Sequence, residues 1–114
     1  NANRRKFDAL VSVSDLGARH PKFAVKRHDS GKITPYNSKD FKSLPRRQDV
    51  EPIFILDGSF YISKVNSYRK NMSFCHSRTM AQVVPNYKAI EIDDLIDFLC
   101  VEAILNNYTN LSDD

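Results

Sequence analysis

The sequence predicts an α/β or α+β domain, because short β-branched runs are mixed with one strongly periodic helical segment and no internal repeat is present. The chain has 114 residues, of which 41% are apolar, and this is enough for one domain with a modest core. Only three Gly and five Pro occur, which excludes a collagen-like, linker-like or wholly disordered chain. We therefore expect a single domain over residues 1–114.

The first half of the chain is expected to contain a strand and a hairpin. Residues 8–14 form a short β-branched run that ends at Asp15 and is typical of a strand. Two further runs, 23–27 and 32–36, lie on either side of a polar segment in which Gly31 can adopt the positive φ of a tight turn. Residues 37–50 are polar and are expected to form a loop that includes at most one helical turn.

The second half is expected to alternate between strands and helices. Residues 53–56 and 60–62 are two strand-like runs with few charges, so part of this segment should be a buried strand. An exposed helix is expected at 63–71, a strand at 79–85, a helix at 94–107 and a frayed end at 109–114. The helix at 94–107 carries one broad apolar stripe, made of Leu95, Leu99, Ala103, Ile96, Cys100 and Ile104. Asp93 or Asp94 can cap its first turn.

Charge is distributed unevenly along the chain, although the formal total is only +3. Residues 1–50 carry 12 Lys and Arg against 5 acids, whereas residues 51–114 carry 5 against 9. A basic half suits an anionic ligand, nucleic acid or a solvated surface, and charge alone does not separate these. No run approaches the roughly 18 apolar residues of a membrane span. We therefore expect a soluble, cytoplasmic protein without a membrane partner.

Other classes of site find little support. Cys75 and Cys100 are too few for a disulfide framework and lack zinc spacing, which favours a reduced compartment. The three histidines, His20, His28 and His76, show no metal-ligand spacing. The sequence contains neither Gly-x-Gly-x-x-Gly nor Gly-x-x-x-x-Gly-Lys, so it holds no loop of the kind that cradles phosphates.

The first candidate site is the basic pair Arg46 and Arg47, followed by Gln48. On an extended segment adjacent side chains point to opposite sides, so one arginine of the pair is expected to face a pocket. A guanidinium group binds a carboxylate or phosphate through two hydrogen bonds, and a glutamine adds a neutral donor and acceptor. The alternative is a solvated basic turn.

The second candidate site is the acidic pair Glu91 and Asp93. If residues 90–93 are extended, the two carboxylates lie on one face while Ile90 and Ile92 point into the core. Two oxygen ligands at the end of a strand can bind a Mg²⁺ ion that also contacts substrate phosphates. The alternative is that Asp93 caps the following helix and Glu91 is solvated.

Several stretches together resemble the CMP-N-acetylneuraminate synthetases, or acylneuraminate cytidylyltransferases, over residues 7–105. The similar stretches are 8–13, 19–21, 45–49, 57–62 and 89–93. The resemblance implies a Rossmann-like, three-layer fold of the nucleotide-diphospho-sugar transferase type, with a mixed sheet and a protruding hairpin at 23–36 for homodimerisation. It also implies an enzyme that joins CTP to a sialic-acid-type nonulosonic acid, with Mg²⁺, and releases pyrophosphate.

The same resemblance implies roles for individual residues. Arg47 would be catalytic and would bind substrate together with Gln48 and Asp57, and Glu91 and Asp93 would bind the metal. Two of these positions depart from the family pattern, since Glu91 replaces the more usual Asp and Asp57 replaces Asn. The longer arm of Glu91 and the loss of an amide donor at Asp57 are expected to affect which sugar is bound more than the class of reaction.

The family's basic, glycine-containing triphosphate loop has no counterpart in this sequence, so the chain is expected to be the carboxy-terminal half of such an enzyme and inactive alone. The alternative is a non-catalytic fragment that self-associates through the hairpin. Nucleic-acid binding is a weaker third hypothesis, because aromatic residues do not alternate with Arg and Lys in a recognition motif.

Overall fold

The computed structural model describes residues 7–43 and 46–111. The strands are β1 (Ala9–Asp15), β2 (Val25–Arg27), β3 (Ile33–Pro35), β4 (Phe54–Ser63) and β5 (Thr79–Val83), and the helices are α1 (Val65–Asn71), α2 (Leu95–Asn106) and α3 (Tyr108–Leu111). This mixture of strands and helices is compatible with the predicted α/β class. The chain divides into two compact units, one with the described residues before 15 and after 54, the other with those from 15 to 54.

A three-stranded sheet in the order β4-β1-β5 forms the centre of the first unit. β1 and β5 are parallel, with Ala9 opposite Thr79 and Val13 opposite Val83. Along the other edge of β1, Lys64 N donates to Asp8 O at 2.9 Å, and Phe60 N donates to the Ser12 hydroxyl at 3.0 Å. As residue numbers rise along β1, those of the bonded residues in and after β4 fall, so these two strands are antiparallel. Because β1 and β5 are parallel, the sheet is mixed.

The buried part of the sheet is β1, in which residues 11–14 and Ala9 are all buried. β4 was expected to supply a buried strand, and this expectation is wrong, since Ile55 is 50% exposed and Ile62 56% exposed. The two predicted runs are instead one continuous strand at the edge of the sheet, with a neighbour on one side only. Its buried residue is an acid, Asp57, which is 9% exposed.

Helix α2 begins and ends almost where its periodicity predicts, but of the predicted stripe only Ile104 lies on the less exposed side. Leu95 and Ile96, from the predicted stripe, are 71% and 70% exposed. The less exposed side carries Asp97, Val101 and Ile104, which are spaced to share one face. Apolar residues surround most of this helix, so their pattern alone does not select the side that packs.

The second unit contains the predicted hairpin. β2 and β3 are antiparallel, with Val25 opposite Pro35, and Gly31 in the connection has a φ of 89°. Val25 and Ile33 are exposed. The loop that follows includes helical turns at Phe41–Ser43 and Arg47–Asp49. The predicted loop residue Pro45 lies outside the described residues.

The carboxyl end of the described chain is the short helix α3, so the frayed end predicted for 109–114 is wrong for residues 109–111, and residues 112–114 lie outside the described residues. Among the residues that the structure describes, no helix combines the length and apolar character needed to cross a bilayer.

Candidate functional site

One arginine of the basic pair lines a cavity, as the sequence predicts. Arg46 has an extended backbone, with φ −65° and ψ 149°, and Arg47 begins a short helical turn. Arg47 contributes to the wall of a cavity of about 210 Å³ in the unit from 15 to 54, and neither Arg46 nor Gln48 does. The catalytic role of Arg47 and the substrate contact of Gln48 stay predictions.

The Arg47 cavity is built around a buried histidine. His20 is 6% exposed; its Nδ1 accepts from Lys22 N at 3.0 Å and its Nε2 lies 3.0 Å from Glu51 O. A carbonyl oxygen only accepts, so this arrangement assigns the proton to Nε2. His20 thereby fixes the backbone at Glu51, next to the cavity. His20, which shows no metal-ligand spacing in the sequence, is thus a buried, hydrogen-bonded residue.

Carboxylates share this cavity with the guanidinium group of Arg47. Asp15 and Glu51 are among the lining residues, and Asp15 Oδ1 accepts from Gly17 N at 2.7 Å. Arg47 can donate to an anionic group, and the two acids can accept from hydroxyl groups. The residues of this wall therefore include one cation and two acids.

In the other unit, Asp57 lies in a buried hydrogen-bond network with β1. Its Oδ1 accepts from the Ser12 hydroxyl at 2.6 Å and from Ser59 N at 2.8 Å. Burial acts to raise the pKa of Asp57, but the hydrogen bonds from Ser12 and Ser59 together outweigh it and hold the pKa below its ordinary value of 3.8. Its Oδ2 is the buried side-chain atom without a partner in the described part of the chain.

Glu91 lies against the residue that follows Asp57. Gly58 has a φ of 79°, and a Cβ built there would collide with Glu91 Oε1 and lie 3.5 Å from Glu91 Cδ. The structure thus brings Glu91 beside the strand position next to Asp57, although the two acids are far apart in sequence. This glycine contact was not foreseen, and its signal in the sequence is a single Gly within a strand-like segment.

Asp93 does not cap helix α2. The cap is Asp94, whose Oδ1 accepts from Asp97 N at 2.8 Å, and Asp97 Oδ2 in turn accepts from Asp93 N at 3.0 Å. The carboxylate of Asp93 has no hydrogen bond or ion pair with any residue that the structure describes. The alternative that Asp93 caps the helix is therefore wrong, whereas Glu91 is exposed, as the same alternative expected.

The segment that carries the acidic pair is not a strand. Residues 90–93 pair with no described strand, and Ile92 is 55% exposed, so the expectation that Ile90 and Ile92 enter the core is wrong. The turn at Asn86–Lys88 has already taken the chain away from β5, and Asp94 then starts the helix.

The described part of the chain, residues 7–43 and 46–111, contains no cluster of three or more metal-ligating side chains of His, Cys, Asp or Glu. A Mg²⁺ ion is commonly bound by one or two carboxylates together with water and substrate phosphates, so two acids are compatible with it. The metal-binding role of Glu91 and Asp93 stays a prediction.

Comparison with known proteins finds relatives in the family that the sequence motifs resemble. The chain is 31% identical over 94 residues to N-acylneuraminate cytidylyltransferases of Streptococcus agalactiae serotypes V, III and Ia. The alignment covers 82% of this chain and 22% of each relative, so the chain spans about a fifth of their length. No protein-family profile matches the chain.

Proposed function

The chain is related in sequence to the N-acylneuraminate cytidylyltransferases, and from this premise we propose that it is part of an enzyme that activates a sialic-acid-type sugar with CTP. The similarity over 82% of the chain is the observation that carries this proposal. In the proposed reaction the anomeric oxygen of the sugar bonds to the α-phosphorus of CTP. The bond between that phosphorus and the pyrophosphate oxygen breaks, and the CMP-sugar and pyrophosphate are the products.

The Arg47 cavity supports a role in holding the sugar. A nonulosonic acid carries one carboxylate and several hydroxyls, and the cavity offers a guanidinium group with Asp15 and Glu51. In the proposed complex Arg47 donates to the carboxylate, and the acids accept from hydroxyls. These contacts orient the sugar, and orientation lowers the barrier of a reaction between two bound molecules.

Glu91 and Asp93 are the residues that would hold Mg²⁺. Their fit is supported by the unpartnered carboxylate of Asp93 and by the position of Glu91 against Gly58. A bound Mg²⁺ ion would neutralise charge on the phosphates of CTP. Asp57 supports the same region through its hydrogen bonds to Ser12 and Ser59, which fix the backbone next to Gly58.

We expect the chain alone to be inactive, because its sequence holds no glycine-rich phosphate loop. Incubation with CTP, Mg²⁺ and N-acetylneuraminate should therefore release no pyrophosphate. Appreciable release would contradict this expectation while supporting the class of reaction.

Ligand binding tests the proposal on the chain as it exists. We expect a ¹⁵N-HSQC titration with N-acetylneuraminate to shift the amides around Arg47 and to saturate. Arg47→Ala should weaken binding about tenfold, which corresponds to about 1.4 kcal/mol. Arg46→Ala is the matched control and should have little effect. The absence of saturable shifts, or equal effects of the two variants, would overturn the proposed sugar site.

A second candidate function is self-association through the hairpin, and the exposure of Val25 and Ile33 on β2 and β3 favours it. Apolar side chains on short exposed strands are typical of interaction surfaces. Light scattering should give a mass above that of the monomer, 13.1 kDa, and Ile33→Lys should reduce it. A strict monomer at high concentration would exclude this candidate.

A further inference from the structure

A second cavity, of about 450 Å³, lies in the first unit, where β1 and β5 begin. Asp8 directly precedes β1 and Arg78 directly precedes β5. Because the two strands are parallel, these residues lie together at the end of the sheet where both strands begin. Lys64 joins them because it follows β4 and precedes α1. Lys70, in the last turn of α1, completes the set of charged residues in the wall.

This cavity carries an excess of positive charge. Its three cations, Lys64, Lys70 and Arg78, face a single acid, Asp8. That acid is fully engaged, because Arg78 Nε lies 2.6 Å from its Oδ2 and Lys64 Nζ lies 3.0 Å from its Oδ1. Hydrogen bonds from Arg78 and then Lys64 hold the pKa of Asp8 below 3.8, so it is ionised at neutral pH.

Many hydrogen-bond donors remain after these contacts. Among the residues that the structure describes, Arg78 bonds to Asp8 through its Nε alone, and none of them takes the terminal nitrogens of its guanidinium group. Lys70 makes no hydrogen bond or ion pair with the residues that the structure describes. The hydroxyl of Ser77 and the side chain of Asn66 also line the wall.

One side of the cavity is rigid. His76 accepts from Arg78 N through Nδ1 at 3.2 Å, and its Nε2 lies 3.1 Å from the hydroxyl of the buried Ser67. Asn71 Nδ2 donates to Ser67 O at 2.9 Å, which ties the same wall to the end of α1. The backbone that carries Arg78 is therefore held in place, and its side chain is fixed toward Asp8.

We infer that this cavity binds a small oxyanion of the phosphate class, held by Lys70 and by the free terminal nitrogens of Arg78. A guanidinium group matches two phosphate oxygens, and an ammonium group adds a further charge-assisted contact. Two unneutralised positive charges favour a dianion over a monovalent anion. This site is separate from the Arg47 cavity and does not depend on the proposed function.

The test is a ¹⁵N-HSQC titration of the full chain with inorganic phosphate at low, constant ionic strength, because salt screens exposed charges. We expect saturable shifts centred on the amides of Ser77 and Arg78. Lys70→Gln should weaken binding about fivefold, since it removes one charge-assisted contact. Arg69→Gln removes the same charge from the same helix at a position outside the cavity wall, and it should change binding less than twofold.

Any of three results would overturn this inference. Equal weakening by the two variants, or shifts spread over all basic segments, would mean attraction by net charge alone, and the absence of saturation would mean that no site exists. A parallel titration with glycerol 3-phosphate distinguishes the source of the phosphate. Tighter binding than inorganic phosphate would support a phosphate ester as the ligand, and equal binding would support the free ion.

Discussion

The carboxylate of Glu91 occupies the space that a side chain at Gly58 would need. Gly58 has a φ of 79°, which disfavours any residue with a Cβ, and a Cβ at this position would collide with Glu91 Oε1. Glycine therefore serves two purposes here, since it permits the backbone conformation and it admits the acid. The neighbouring Asp57 keeps this backbone in place through Ser59 N, at 2.8 Å.

We expect Gly58→Ala to lower the free energy of unfolding by about 1 kcal/mol. It should also weaken the binding of Mn²⁺, used here as a paramagnetic probe of the proposed Mg²⁺ site. The loss of stability follows from the positive φ, and the loss of binding follows because Glu91 must move away. Gly31→Ala is the matched control, since Gly31 has a φ of 89° and nothing lies within 4 Å of the place of its Cβ. It should cost a similar free energy in urea unfolding and leave Mn²⁺ binding unchanged. Equal binding by the two variants would contradict this account.

Ser12→Ala should lower the free energy of unfolding by about 2 kcal/mol, as measured by chemical denaturation. Ser12 is 1% exposed; its hydroxyl donates to Asp57 at 2.6 Å and accepts from Phe60 N at 3.0 Å. Removing the hydroxyl deprives the buried Asp57 Oδ1 of a donor and Phe60 N of its acceptor. Ser14→Ala is the control on the same face of β1, because Ser14 is also buried but makes no comparable side-chain bond with the described residues. Equal losses from both variants would show that the network contributes nothing.

The pH dependence of stability should show the ion pairs of Asp8. Its pKa is lowered from 3.8 by Arg78 and Lys64, so the unfolded chain takes up a proton at this carboxyl before the folded chain does. The corresponding stabilisation is fully present above pH 4 or so, and it is lost as the pH falls through the lowered pKa. Asp8→Asn should therefore flatten the acid side of the stability curve, measured by urea unfolding between pH 7 and pH 2.5.

Asp29→Asn is the control for that experiment, because Asp29 lies in the exposed hairpin connection without an ion pair among the described residues. It should leave the acid limb unchanged. A curve for Asp8→Asn that parallels the unsubstituted chain would mean that the ion pairs with Lys64 and Arg78 do not stabilise the fold.

Local sequence signals predicted the elements well. The strand at β1, the hairpin around Gly31 and helix α2 each depend on nearby residues, namely a β-branched run, a turn glycine and an apolar repeat with an acidic cap. Burial was predicted poorly because it depends on neighbours. β4 has the more apolar sequence but lies at a sheet edge, whereas β1 is central and buries Ser12 and Ser14.

The candidate sites also divide into features that nearby residues predict and features that depend on contacts between distant residues. The alternation of side chains predicted that one arginine of the pair Arg46 and Arg47 faces a cavity, and the structure shows that it is Arg47. The contact of Glu91 with Gly58 was not, because it joins residues that are distant in sequence through a backbone conformation that no pattern specifies. The basic cavity also escaped prediction, since its charged residues come from the ends of three different elements.

Replacing Asp93 and Asp94 one at a time should distinguish a role in metal binding from a role in capping the helix. Asp94 caps α2 by accepting from Asp97 N at 2.8 Å, so Asp94→Ala should lower the free energy of unfolding by about 1 kcal/mol and leave Mn²⁺ binding nearly unchanged. Asp93 makes no side-chain bond with the described residues, so Asp93→Ala should leave stability within about 0.5 kcal/mol. It should instead weaken Mn²⁺ binding, seen as loss of paramagnetic broadening near Glu91. A loss of stability without any loss of broadening in Asp93→Ala would place this acid in the structure of the helix start, and Glu91 would then have no second carboxylate for the metal.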